Sequence, residues 1–159
     1  GMPDYGEFGR FERLLWAAYL CLALAGLLEL WNGVAALSGG EPPWGPDALR
    51  HLYLAGFGTL LLLGMAPRMI PGFVGARRVA YPGLVDLSFY LGISAAWGRV
   101  APVALAPFLP EQYPALGTFA SYLFGISGGL GWLAVLCLAV NLGVTLKRGR
   151  TVAPRMLIC

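Results

Sequence analysis

Four ionisable side chains, Glu29, His51, Asp86 and Arg99, stand inside otherwise apolar stretches of this 159-residue chain. A charge in hydrocarbon costs at least about 2.5 kcal/mol on insertion scales, so such groups are held against a partner, a cavity or a ligand. His51 is the only histidine, and its imidazole is the one side chain here with a nitrogen lone pair suited to a transition metal. The next residues on its helical face are Ala55, Gly58 or Thr59, and Leu62. Small side chains below a histidine leave room for a flat macrocycle, which makes His51 a candidate haem ligand. Arg50 or Arg99 would then neutralise the propionates by charge-assisted contacts. The same spacing also fits a histidine that is only a polar residue near a helix end.

One histidine gives a single chain one axial ligand, whereas a symmetric dimer could offer two to a shared haem. Met65 lies fourteen residues on, about 21 Å along a helix, too far to ligate the same iron. Copper is disfavoured for want of a second histidine. Glu29 and Arg99 could pair across two helices, as could Asp86 and Arg68. The chain has no phosphate-binding glycine loop, nucleophile elbow or HExxH pattern, and its three cysteines form no CxxC pair.

The elements that must position these groups follow from composition. With 58% hydrophobic and 12% charged residues, the chain departs from soluble domains, which carry about 25% charged residues. The net charge of +3 is too small and scattered for nucleic-acid binding. A bilayer core of about 30 Å takes about 20 apolar helical residues, and four stretches qualify: residues 14–37, 48–70, 79–105 and 114–146. Asp47 is the expected N-cap of the second, and Pro71-Gly72 its expected stop. The expected fold is therefore all-α, one integral membrane four-helix bundle in a single transmembrane domain. Ser121, Gly125 and Gly129 on the fourth span, and Gly56, Gly58 and Gly64 on the second, are candidate helix seams.

Resemblance adds to this reading. The stretch HLYLAGFGTLLLLGMAPRMIPGFVGARR, residues 51–78, resembles the NnrS family of haem- and copper-containing membrane proteins linked to nitric oxide. His51, Gly56, Gly64-Met65 and Arg68 fall on that family's positions, and Arg99-Val100-Ala101-Pro102 resembles its Arg-x-Ala-Pro segment. The histidine-first helix is also similar to parts of haem-copper oxidase subunit I. The family's members have about twelve spans and several histidines; this chain resembles their last four spans and lacks the turn histidine. The resemblance implies haem b at His51, without copper, and a diatomic gas such as nitric oxide or oxygen as ligand, or electron transfer, in a homodimer. Whether the chain catalyses anything stays open. A cofactor-free structural or assembly subunit, or a small transporter with Glu29 and Arg99 lining a path, are the alternatives.

Basic residues orient the spans. Nine of the eleven lysines and arginines fall on one side: Arg10, Arg13, Arg68, Arg77, Arg78, Lys147, Arg148, Arg150 and Arg155. Positive charge accumulates on the cytoplasmic side, so both termini are expected in the cytoplasm, in a multi-pass protein of the cell's inner membrane. A reporter fused to the C-terminus should therefore be active only in its cytoplasmic form; activity of a periplasmic reporter at that position would reverse the orientation.

Overall fold

The computed structural model describes residues 5–73, 79–105, 108 and 114–152. Arg77, Arg78 and Arg155 lie outside them. The described residues are helical, without strands: α1 (Tyr5–Leu37), α2 (Pro46–His51), a π-helical segment (Leu52–Gly58), α3 (Thr59–Phe73), α4 (Pro82–Leu105) and α5 (Pro114–Val152). α2, the π segment and α3 form one continuous rod. Three stretches, Phe11–Leu37, Pro46–Phe73 and Leu116–Arg148, are long and apolar enough to cross a membrane.

α4 is not among those three, and its position explains its composition. It is the one helix that touches every other element, whereas α1 and α5 do not touch each other. It is buried through Val85, Ser88, Gly92, Ala95, Ala96, Gly98 and Val100, small side chains that admit neighbouring backbones closely. A helix sheltered by protein tolerates the Asp86 and Arg99 that a lipid-facing one would not.

The α1 seam repeats at three- and four-residue steps through Phe11, Leu14, Ala18, Cys21 and Ala25, all buried. It meets the second rod where side chains vanish: a Cβ on Gly56 would lie 2.8 Å from Cys21 Cβ, and one on Gly64 would lie 3.0 Å from Leu14 Cβ. Gly58, by contrast, is exposed. α1 ends at Gly39, whose φ of +80° accompanies bonds from Gly39 N to Ala36 O (3.1 Å) and from Gly40 N to Ala35 O (2.9 Å). That pairing is the Schellman motif, which favours glycine at the left-handed position.

The α5 seam differs from the expected one. Ser121, Gly125 and Gly129 are exposed; the residues facing inward are Ser127, Ala134, Leu138, Asn141 and Thr145. Polar bonds, rather than close glycine contact, select this face. Asn141 Nδ2 donates to Tyr81 O and Tyr81 N donates to Asn141 Oδ1, both at 2.9 Å, while Ala80 N donates to Thr145 Oγ1 at 2.9 Å. These bonds satisfy the backbone just before α4 begins. A matching clamp holds the opposite end: Asn32 Nδ2 donates to Trp44 O (2.9 Å), Trp44 N donates to Asn32 Oδ1 (3.2 Å), and Trp44 Nε1 donates to Ala104 O (2.9 Å) near the end of α4.

Two expected boundaries shift. Gly45, not Asp47, is the N-cap, with Pro46 opening the helix and Asp47 in its first turn, where its charge complements the helix dipole. The rod also runs through Pro71 to Phe73, because Pro67 and Pro71, one turn apart, are both buried and each removes only one backbone donor. Replacing Asn141 by Ala leaves Tyr81 N without its acceptor and Tyr81 O with the bond from Leu84 N alone (3.1 Å), and should lower stability by about 1–3 kcal/mol, read as an earlier unfolding midpoint in detergent. An unchanged midpoint would show that the clamp is dispensable.

Candidate functional site

Among the described residues the backbones of the π segment and α5 stay apart, although both pack on α4. The gap between them is a cleft of about 410 Å³ lined by Ala55 and Thr59 of the second rod, Gly92, Ala95, Ala96 and Arg99 of α4, and Ser127, Gly128, Gly131, Trp132 and Val135 of α5. This volume lies within the usual range of ligand sites, about 300–1,000 Å³. The wall is mostly methyl and glycine surface, with polar atoms supplied by Thr59, Arg99 and Ser127.

Arg99 is held along two directions. Its Nε donates to Ser127 Oγ at 3.0 Å, and Ser127 Oγ in turn donates to Phe124 O at 2.6 Å. Its guanidinium carbon stands 4.4 Å from the centre of the Phe124 ring, a cation–π contact that strengthens when desolvated. A Cβ on Gly128 would fall 2.8 Å from Arg99 Nη2, so glycine there makes room for the guanidinium.

His51 packs on the same phenyl ring, its centroid 5.4 Å from that of Phe124 in an edge-on arrangement. His51 Nδ1 lies 2.6 Å from Asp47 O. A carbonyl oxygen only accepts, so Nδ1 carries the proton, and in the neutral ring the lone pair is on Nε2. Fixing one ring nitrogen on a carbonyl in this way is how ligating histidines are oriented. Nε2 has no hydrogen-bond partner among the described residues.

The structure thus gathers part of the expected set. Ala55 and Arg99 line the cleft, whereas His51 is not one of its lining residues and shares with Arg99 a contact to the Phe124 ring. Arg50 is exposed and pairs with Asp47 at 3.5 Å, and Gly58 faces outward. Nor do Glu29 and Arg99 pair: Glu29 has the Tyr53 hydroxyl as its polar neighbour, while Arg99 takes Ser127 and Phe124. Asp86 is bound by Arg13 Nη2 at 2.7 Å, a partner that the charge pattern did not single out. Among the described residues no three His, Cys, Asp or Glu side chains gather as a metal site.

The π segment itself escaped the sequence reading. Ala48, Leu52, Gly56, Leu60 and Gly64 are all buried, a step of four residues that an α-helix of 3.6 residues per turn would carry off its face. The wider π turn restores the alignment, and Thr59 Oγ1 donates to Leu54 O, five residues back, at 2.8 Å. The run Gly56-Phe57-Gly58, weak in α-helix propensity, was the available cue. Such turns occur frequently at functional sites.

Fold and site together define an all-helical protein with membrane-spanning character and a lateral cleft. Compared with known proteins, the chain matches no family model, no curated protein and no solved structure.

Proposed function

We propose that this is a four-span protein of the inner membrane, with both termini in the cytoplasm, that binds haem b through His51 Nε2. The observation that carries the reading is the fixed imidazole: Nδ1 held by Asp47 O and Nε2 left for a metal, beside a cleft lined by Ala55, Thr59 and Arg99. The donor set suits the group in kind, because one neutral imidazole, an apolar wall of small residues and a guanidinium match an iron porphyrin's metal, flat face and propionates. Likeness of residues 51–78 to the NnrS family supports the same assignment.

Each residue has a distinct part in this reading. Asp47 O sets the tautomer and ring direction of His51. Phe124 packs against both His51 and Arg99, and the small residues Ala55 and Gly131 leave space between the helices. Haem held by His51 alone would supply reversible binding of a diatomic gas such as nitric oxide or oxygen. In a homodimer the second histidine would take the place of the gas and favour electron transfer.

A cofactor-free structural role is the second reading. It is favoured by the contacts of His51 and Arg99 with Phe124, since an aromatic ring flanked by both can serve helix registry alone.

Absorption spectra of the purified protein, oxidised and reduced, beside His51→Ala discriminate the two. The haem reading predicts a Soret band in the wild type that the variant loses. A wild type that stays colourless after haem is added would overturn it and leave the structural role.

A further inference from the structure

Arg99 has an unusual setting for a cation inside an apolar helix array. It has no carboxylate partner among the described residues; its contacts are Ser127 through Nε and the Phe124 ring through its face. These fix the guanidinium plane and leave the two Nη groups as the donors turned to other acceptors. Nη2 lies against Gly128, and both Arg99 and Gly128 line the cleft. A guanidinium edge in this state matches a planar anion that can accept two parallel hydrogen bonds.

The shape of the cleft adds a second requirement. From Arg99 its wall follows α4 back to Gly92, about 10 Å of helix, and α5 forward to Val135, about 12 Å. Along that length the lining is Ala95, Ala96, Gly131, Trp132 and Val135, all apolar. Trp132 is 66% exposed, so this wall opens sideways rather than into the protein's interior.

We propose that the Arg99 end of the cleft is a carboxylate site for an amphiphile that enters from the bilayer, its anionic head on the guanidinium and its apolar body along α4 and α5. The assignment does not depend on iron at His51. A long-chain fatty carboxylate and a haem propionate are two sources of the same chemistry, and the test separates them.

Trp132 reports occupancy, because a brominated fatty acid bound in the cleft quenches its fluorescence. The probe is dibromostearate added to haem-free His51→Ala protein in nanodiscs, with Trp132→Phe identifying that tryptophan's signal. The proposal predicts saturable quenching that weakens about tenfold or more in His51→Ala/Arg99→Gln, the loss expected of hydrogen bonds to a charged group. Arg99→Lys, which keeps charge but not the fork, should fall between. Gly128→Ala, whose new Cβ would crowd Nη2, should also weaken binding in a protein of unaltered charge. Methyl dibromostearate, without the carboxylate, should quench equally in every variant.

If instead the fatty acid fails to saturate but haem binds the otherwise wild-type protein with an affinity that Arg99→Gln lowers, and haem dimethyl ester shows no such dependence, the carboxylate source is the propionate. Equal quenching with and without Arg99, together with haem affinity indifferent to Arg99, would overturn the proposal.

Discussion

In a membrane no water is at hand to complete an unpaired peptide group, and the fold turns on how the two ends of α4 are completed. Asn141 and Thr145 bond the backbone at one end, and the Trp44 indole, itself clamped by Asn32, takes Ala104 O at the other. Each is a side chain of a neighbouring element bonded to main chain, so completing α4 also fixes where α1 and α5 stand. A buried peptide group left without its partner costs about 1–3 kcal/mol, so each of these bonds counts as much as a buried apolar side chain in the seams.

With α4 placed, the cleft follows. α4 presents small side chains to both flanks, and α5 closes on it through Gly98, where an added Cβ would come within 2.9 Å of Ser127 Cβ. The second rod is turned by its π segment so that Gly56 and Gly64 both meet α1, at Cys21 and Leu14, and Ala55 and Thr59 face the gap. Arg99 reaches that gap because glycine at position 128 leaves space for it. The same π turn is continuous with α2, whose last residue is His51, so the seam and the placement of His51 share one local distortion.

Much of this was legible in the sequence and some was not. Helix positions followed from apolar runs and Pro/Gly breaks, since length and hydropathy are properties of a segment alone. Asn32 and Asn141 were passed over because their partners are backbone atoms, which leave no mark on residue type. The stripe Ser121, Gly125 and Gly129 misled because small residues permit close approach without requiring it, whereas Asn141 and Thr145 must find partners. Glu29 and Arg99 were matched by charge and depth, yet helix rotation sends Glu29 to Tyr53 and Arg99 to Ser127; rotation about the axis depends on neighbours that a single segment does not encode. Arg99 and Ala55, which line the cleft, stood out in the sequence because a cation and a small residue are each informative in an apolar setting.

The central claim is that His51 and the adjoining cleft hold a haem. Native mass spectrometry of the wild-type protein, purified from its own membrane without added ligand, tests it most directly. The account predicts a species heavier than the bare chain by one haem, or a dimer of chains carrying one, that releases haem intact on gentle activation. A spectrum containing only the bare chain and its phospholipid adducts would contradict it.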